Sequence, residues 1–152
     1  MTPSRRHAPD LLDVNVLVAL AWPNHVHHDL AHEWFDHNHR QGWATTPVTE
    51  SGFVRVSSNR SAIATATTPA LAKRLLGEMA LLDGHTFLVD DVQGVTGSRA
   101  DPELLTSHRD VTDAHLLAVA ERHEGRLVTL DTGIRRLLGD RDPRLLVVLS
   151  PA

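Results

Sequence analysis

The feature that most constrains this sequence is the regular alternation of short apolar runs with longer segments of helical periodicity. The apolar runs have the length of buried strands. In the longer segments, apolar residues recur every three or four positions, as they do on the packed side of a helix. Strands that alternate with helices favour a parallel sheet covered by helices on both faces. The predicted strands are 11–12, 43–45, 86–89, 126–130 and 145–149, and the predicted helices are 14–21, 25–39, 47–56, 69–82, 112–123 and 133–138.

A chain of 152 residues is expected to form one domain, which we place at residues 10–152 behind a flexible tail at residues 1–9. Hydrophobic residues make up 41% of the chain and aromatic residues only 4%, so Leu, Val, Ile and Ala must build the core. The absence of cysteine excludes a disulfide scaffold, a thiolate zinc site and a cysteine nucleophile. The sequence has no signal-peptide pattern and no apolar run long enough to span a bilayer, so we expect a cytoplasmic protein without a membrane partner.

The overall charge does not identify a partner. The formal net charge is −4 and the isoelectric point is about 6.2, whereas nucleic-acid-binding proteins are more often basic. A cluster of carboxylates that binds a metal ion would also lower the net charge of the bare chain. The charge is therefore compatible with several classes of function.

Two aspartates follow predicted strands directly. Asp13 comes after the first strand and Asp131 after the fourth. The carboxyl ends of parallel strands meet at one edge of a sheet, which is where such folds bind their ligands. Thr129 lies two residues before Asp131, so an extended strand would direct both side chains to the same face.

Two further acids lie at the predicted starts of helices. Glu50 is followed at +3 and +4 by Phe53 and Val54, and Asp113 is followed by apolar residues at the same spacing. Both acids therefore belong to the stripe that packs on the sheet. The positive potential of a helix N-terminus would help to keep them ionised. We expect all four carboxylates to converge at one edge of the sheet.

Four converging carboxylates would repel each other unless a cation lay between them. Sites built from oxygen ligands suit Mg²⁺ or Mn²⁺ better than zinc. A metal that activates water and neutralises a phosphate is suited to cleaving a phosphodiester. For each acid taken singly, a purely structural role as a helix cap or a complement to the helix dipole is an equally good interpretation.

Four segments of the sequence resemble the motifs of the PIN-domain family, and specifically those of VapC-type toxins of bacterial toxin–antitoxin pairs. They occur in the family's order, and the resemblance extends from about Leu11 to Pro151. Each segment alone is weak, but the four together form a strong signal. The segments are Leu11-Leu12-Asp13-Val14-Asn15-Val16-Leu17, Thr46-Pro47-Val48-Thr49-Glu50, Val111-Thr112-Asp113-Ala114-His115-Leu116-Leu117-Ala118 and Leu127-Val128-Thr129-Leu130-Asp131.

The resemblance implies a three-layer α/β/α fold and an endoribonuclease that depends on Mg²⁺ or Mn²⁺. Such an enzyme cuts structured RNA, such as tRNA or rRNA, and thereby inhibits translation and growth. The resemblance also implies a homodimer and a cognate antitoxin, which together would form a heterotetramer or a larger assembly. Carried over position by position, the metal-binding and catalytic acids are Asp13, Glu50, Asp113 and Asp131, with Asn15 and Thr129 as supporting polar residues.

Several basic residues are candidates for contacts with RNA phosphates, because arginine forks match phosphate oxygens. The alternative for each is ordinary solvated charge. The histidine-rich helix 25–39 places His28 and His32 one turn apart, which could bind zinc, but a solvated helix face explains the pattern better. The phosphate candidates that flank the predicted edge are Arg99, Arg109 and Arg135, with Arg136 beside them.

Two other classes of function remain open. A phosphatase acting on small phosphoesters would use an aspartate nucleophile followed two residues later by a second acid. Position 15 is Asn, which argues against that class. A non-catalytic module that binds RNA or a protein partner would not need a full set of four acids.

Overall fold

In this computed structural model, the described residues are 8–63, 66–93 and 101–151. They form helices and strands in the alternating order that the sequence predicts. Short 3₁₀ helices occupy His39–Gln41, Pro102–Leu104, Thr132–Leu138 and Pro143–Leu145. The strands are β1 Asp10–Leu12, β2 Trp43–Thr45, β3 His85–Phe87, β4 Arg126–Thr129 and β5 Leu146–Val148, and the α-helices are α1 Val14–Ala21, α2 His28–Asn38, α3 Pro47–Ser57, α4 Pro69–Met79 and α5 His108–Arg122.

Within the described residues the strands form one five-stranded sheet in the order β3-β2-β1-β4-β5, and every pairing in it is parallel. The carboxyl ends of the strands therefore lie at a single edge. Strand β1 lies between β2 and β4, which brings the residue after β1 to the middle of that edge. This arrangement confirms the predicted parallel α/β sheet.

Alternate residues of the strands pack on opposite faces of the sheet. Leu12 and Val128 belong to a core shared with α1, α2, α3 and α4, whereas Leu11 and Leu127 belong to a core shared with α5 and the 3₁₀ helix Thr132–Leu138. This period of two is the geometry of a pleated strand that is buried on both sides. The three-layer α/β/α architecture is therefore confirmed.

The predicted start of α5 at residue 112 is wrong. Helix α5 begins at His108, because Ser107 and Asp110 form a capping box in which each side chain bonds the other residue's backbone N–H. Asp113 consequently lies in the second turn of α5 and not at its start. The helix dipole acts most strongly within the first turn, so it gives Asp113 less support than predicted.

Other boundaries move by a few residues. Helix α2 begins at His28 and not at residue 25, and α4 ends at Met79 before residue 82. Residues 1–7 of the predicted tail lie outside the described residues, while the carbonyl of Pro9 accepts a hydrogen bond from the backbone N–H of Arg126 at 3.1 Å. Among the helices of the described ranges, none is long and apolar enough to cross a membrane.

A glycine in α3 sets the distance between two helices that border the carboxyl edge. A Cβ atom added to Gly52 would lie 2.5 Å from Cγ2 of Val14, so no larger residue fits without a shift of α1 or α3. This close approach holds the start of α1, and with it Asp13, against the helix that carries Glu50.

Candidate active site

Asp13 is the central acid of the carboxyl edge. It follows β1, caps α1 and is only 7% exposed. The backbone N–H of Val14 donates to its Oδ1 at 2.7 Å, and the hydroxyl of Thr129 donates to its Oδ2 at 2.8 Å. The helix-cap interpretation is therefore correct for one oxygen of Asp13, and the other oxygen is held from β4.

Thr129 and Asn15 connect Asp13 to the end of β4. The Thr129 hydroxyl accepts from the Asn15 amide at 3.1 Å and from the backbone N–H of Asp131 at 3.1 Å. The carbonyl oxygen of Asn15 in turn accepts from the backbone N–H of Leu130 at 3.1 Å. These bonds fix the position of Asp13 relative to Asp131, and they place Asn15 and Thr129 where the sequence predicts supporting residues.

Three of the four predicted acids line one hollow of about 570 Å³ at the carboxyl edge of the sheet. They are Asp13, Asp113 and Asp131, and Asn15 lines the same hollow. Asp131 also caps the 3₁₀ helix that follows it, since its Oδ1 accepts from the backbone N–H of Gly133 at 2.8 Å. The three acids come from three separate segments of the chain, as the sequence predicts.

Burial and neighbouring carboxylates disfavour the charged forms of Asp113 and Asp13. Burial raises the pKa of Asp113 to about 7, and the negative charges of Asp13, Asp131 and Asp110 add to that rise. Burial also raises the pKa of Asp13, with a smaller contribution from Asp131, although the bonds from Thr129 and Val14 oppose it. Any help from the helix dipole in keeping Asp113 ionised is thus opposed by burial and by the neighbouring charges.

Glu50 lies in the first turn of α3, as predicted, but it does not line the hollow of the other three acids. Its Oε2 accepts from the hydroxyl of Thr45 at 2.6 Å. The Thr45 hydroxyl has one proton and gives it to Glu50, so its 2.8 Å contact to Nε2 of His85 requires that His85 donates. The structure thus places Glu50 at the end of a hydrogen-bonded chain from β3 through β2.

Under the expectation that Glu50 takes part in a metal site, Thr45→Val should weaken Mn²⁺ binding and RNA cleavage by about tenfold, because partners that orient such a carboxylate contribute that much. Valine keeps the shape of Thr45 but cannot hold Glu50 in place. Thr86→Val in β3 is the matched control, because Thr86 is exposed. Equal Mn²⁺ affinity in both variants, measured by titration calorimetry, would show that Thr45 does not contribute to metal binding.

Asp110 and Arg136 hold two parts of the site together. Asp110 is 4% exposed, and its Oδ2 accepts from the backbone N–H groups of Thr106 and Ser107. Its Oδ1 accepts from the guanidinium of Arg136, which also donates to the carbonyl of Leu104. This ion pair joins the start of α5 to the 3₁₀ helix after Asp131. The pairing of Asp110 with Arg136 was not predicted from the sequence.

The predicted phosphate-binding arginines have different surroundings. Arg109 lines the hollow of the three acids, and Arg135 is exposed on the 3₁₀ helix after Asp131. Arg99 lies outside the described residues. Arg55 of α3, which sequence reasoning missed, also lines the hollow.

The histidines that the sequence analysis considered have structural contacts. Nε2 of His115 donates to Oδ2 of Asp90 at 2.7 Å, so the two side chains are bonded to each other and not to the predicted acids. Nδ1 of His28 donates to the carbonyl of Ala19 at 2.7 Å. Among the described residues, no group of three His, Asp or Glu side chains has the spacing of a complete metal site, so a zinc site at His28 and His32 gains no support.

The chemistry of the three acids nevertheless suits a hard divalent cation. Their oxygens are the ligands that Mg²⁺ and Mn²⁺ prefer, and Mg²⁺ keeps several waters when it binds to few carboxylates. A bound cation would also favour the charged forms of Asp113 and Asp13, whose pKa values are raised by burial and, to a smaller extent, by neighbouring carboxylates. Asp13, Asp113 and Asp131 are the residues that would hold it.

The raised pKa of Asp113 predicts a pH-dependent stability of the metal-free protein. A carboxyl with a pKa raised to about 7 favours the folded state while protonated, and that contribution is lost as the pH rises from about 4 through 7. In EDTA at pH 8, we expect Asp113→Asn to be about 1–2 kcal/mol more stable than the parent, since solvent screens part of the charge. Urea unfolding at pH 5 and pH 8 measures this difference, with Asp36→Asn as an exposed control. A parent and an Asp113→Asn variant with the same pH dependence would contradict the assignment.

Comparison with known proteins identifies the family. The family model for the PIN domain matches residues 11–138, and the chain therefore belongs to the PIN-domain family. Among solved structures, PAE2754 from Pyrobaculum aerophilum superposes with a TM-score of 0.56 at 23% identity, over 91% of this chain and 86% of that one. At this identity the superposition supports the fold alone.

Curated relatives place the chain within the VapC type of this family. Ribonuclease VapC39 of Mycobacterium tuberculosis is 56% identical over 124 residues, which cover 82% of this chain and 89% of the relative. Ribonuclease VapC38 of the same organism is 50% identical over 131 residues, which cover 86% of this chain and 91% of the relative. The resemblance found in the sequence motifs is thereby confirmed.

Proposed function

We propose that this chain is a divalent-metal-dependent endoribonuclease and the toxin of a toxin–antitoxin pair. The observation that carries the proposal is the shared hollow of Asp13, Asp113 and Asp131, whose crowded charges call for a cation. The ribonuclease class is that of the VapC relatives. The proposed substrate is structured RNA, such as tRNA or rRNA, whose cleavage in the cytoplasm would inhibit translation and growth.

The residues in and beside the hollow have two proposed roles, which are to bind the metal and to position Asp13. Asp13, Asp113 and Asp131 would hold Mg²⁺ or Mn²⁺, and Glu50 would contribute from the neighbouring segment directly or through water. When bound, the metal neutralises charge on the phosphate and activates a water molecule for attack. Thr129 and Asn15 keep Asp13 in a fixed orientation through the bonds described above.

The arginines at the carboxyl edge are the residues proposed to bind the phosphates of the RNA. Arg109 and Arg55 border the hollow, where a guanidinium can bind a phosphate on either side of the cut. Arg135 lies further along the same edge. Because water and not the ribose 2′-hydroxyl is the nucleophile, the expected products carry a 5′-phosphate and a 3′-hydroxyl.

The proposed partners follow from the VapC type. A cognate antitoxin would bind this chain and block its site, and a homodimer would form the unit to which the antitoxin binds. Helix α4 presents Leu71, which is 51% exposed, as one candidate contact for such a partner.

The direct test of this function is cleavage of total cellular RNA by the purified chain. We expect cleavage in Mg²⁺ that EDTA stops and that added Mn²⁺ restores, with 5′-phosphates at the new ends. RNA that is bound but left intact in Mg²⁺ and Mn²⁺ would indicate a non-catalytic module. Turnover of a chromogenic phosphomonoester without RNA cleavage would indicate a phosphatase.

A further inference from the structure

The hollow that contains the three acids has a second, apolar part that metal binding does not explain. Aliphatic side chains contribute to its lining beside the carboxylates. They include Val18 of α1, Val56 of α3, and Ala62 and Ile63 of the segment that follows α3. The volume of about 570 Å³ falls within the range of small-molecule sites and is much larger than one hydrated cation needs.

Two cations of the same hollow have no anionic partner in the described part of the chain. The guanidinium groups of Arg55 and Arg109 form no ion pair there, although three carboxylates share the lining. Both residues are exposed, so their guanidinium groups can reach a ligand without breaking an ion pair of the described residues. An anionic ligand at the hollow would therefore meet two guanidinium groups.

His25 adds a neutral ring to this lining. The backbone N–H of His27 donates to Nδ1 of His25 at 3.0 Å, so Nδ1 is an acceptor and the ring proton resides on Nε2. Burial lowers the pKa of His25, and the neighbouring His27 and His28 lower it further. The imidazole is thus uncharged at neutral pH and offers an aromatic face and one N–H donor.

We propose that the hollow contains a nucleobase subsite, in which the base of a nucleotide next to the cut lies against Val56, Ile63 and the ring of His25. This inference rests on the proposed function and names how that site selects its substrate. A nucleotide combines a flat apolar ring with an anionic phosphate, and the hollow pairs aliphatic walls with unpaired arginines. A base must leave its stack to enter, so the subsite selects unpaired nucleotides.

An apolar protein side chain is the competing occupant, and the charges argue against it. Such a side chain would fill the aliphatic part but leave both arginines without an anion. A nucleotide satisfies the arginines, and its base satisfies the aliphatic walls. The observations therefore favour the nucleotide over the protein side chain.

The test uses methyl NMR spectra of the full chain in Mg²⁺, titrated with AMP, UMP or ribose 5-phosphate. These ligands have no internal phosphodiester, so the enzyme cannot consume them. We expect AMP and UMP to shift the methyl signals of Val56 and Ile63 upfield through the ring current of the base. Ribose 5-phosphate should leave these signals in place and bind about tenfold more weakly, because stacking a base contributes about that factor.

Variants of residues inside and outside the hollow test whether the base binds there. Val56→Thr replaces a methyl group with a hydroxyl, and Ile63→Thr replaces the ethyl group with a hydroxyl, so each should remove most of the advantage of AMP over ribose 5-phosphate. Val89→Thr is the matched control for Val56→Thr, because Val89 is 61% exposed and does not line the hollow, so it should leave that advantage intact. Amide spectra report whether each variant is folded. If one variant unfolds, the other still tests the proposal through the methyl signal of the residue that it retains.

The proposal is overturned if the methyl signals do not move with any of these ligands. It is also overturned if AMP and ribose 5-phosphate bind equally well. RNA cleavage in Mg²⁺ is measured separately on the same samples. Cleavage without a base-dependent shift contradicts the subsite alone, whereas a base-dependent shift without cleavage contradicts the nuclease function and leaves a nucleotide-binding site.

Discussion

Asp13→Asn should lower the rate of RNA cleavage in Mg²⁺ by about a thousandfold while the protein stays folded, as expected when a central electrostatic group is lost. Asparagine has nearly the same shape and keeps one carbonyl oxygen, which can still accept from the backbone N–H of Val14, while its amide nitrogen takes the place of the oxygen that accepts from Thr129. The change therefore removes the charge of Asp13 and keeps its helix-capping bond, at the loss of the bond from Thr129. Because Asp13 is 7% exposed and unfavourably charged, losing that charge should not destabilise the metal-free fold.

The measurement is the initial rate of cleavage at saturating RNA, together with the circular dichroism spectrum. Asp36→Asn is the control, because it removes an exposed carboxylate from α2. We expect the control to cut RNA as fast as the parent. If Asp13→Asn cut RNA at the parental rate, the assignment of the acidic hollow as the catalytic centre would be wrong.

The second large effect should come from Thr129→Val, which removes a hydroxyl and keeps the branched side chain. Thr129 is fully buried and its hydroxyl bonds to three groups, which are Oδ2 of Asp13, the Asn15 amide and the backbone N–H of Asp131. Its loss leaves a buried carboxylate oxygen and two donors without their partner. We expect a cost of about 1–3 kcal/mol in the free energy of unfolding and a 10–100-fold loss of cleavage activity.

Thr129→Ser separates the two contributions to this effect. Serine restores the hydroxyl but leaves a small cavity, so activity should recover more fully than stability. Urea unfolding and cleavage rates of the two variants provide the comparison. A Thr129→Val variant with parental activity would show that the orientation of Asp13 does not depend on β4.

The sheet could be predicted because its determinants are local. The adjacent apolar pairs Leu11–Leu12 and Leu127–Val128 put apolar side chains on both faces of their strands, which indicates strands buried on both sides. Pro47 marked the start of α3 correctly, because proline suits the first turn of a helix. The start of α5 was missed although Ser107 and Asp110 have the spacing of a capping box. This capping-box spacing is present in the sequence, but it lies outside the predicted helix 112–123.

The candidate site could be predicted only in part. Asp13 and Asp131 were placed correctly at the carboxyl edge, because each follows a strand of a parallel sheet. The contacts of Glu50 could not be predicted, since its partner Thr45 is in turn bonded to His85, which is 40 residues from Thr45 in the sequence. The strongly raised pKa of Asp113 likewise depends on burial and on charges from other segments. Spacing along one helix carries no information about either.

The central claim is that Asp13, Asp113 and Asp131 act together to hold a divalent cation. Titration calorimetry with Mn²⁺ at pH 7.5, on the parent and on the three single Asn variants, tests it most directly. We predict measurable binding by the parent that Mg²⁺ competes away, and an affinity at least about tenfold weaker in each variant. Mn²⁺ affinities that stay at the parental value in all three variants would contradict the claim.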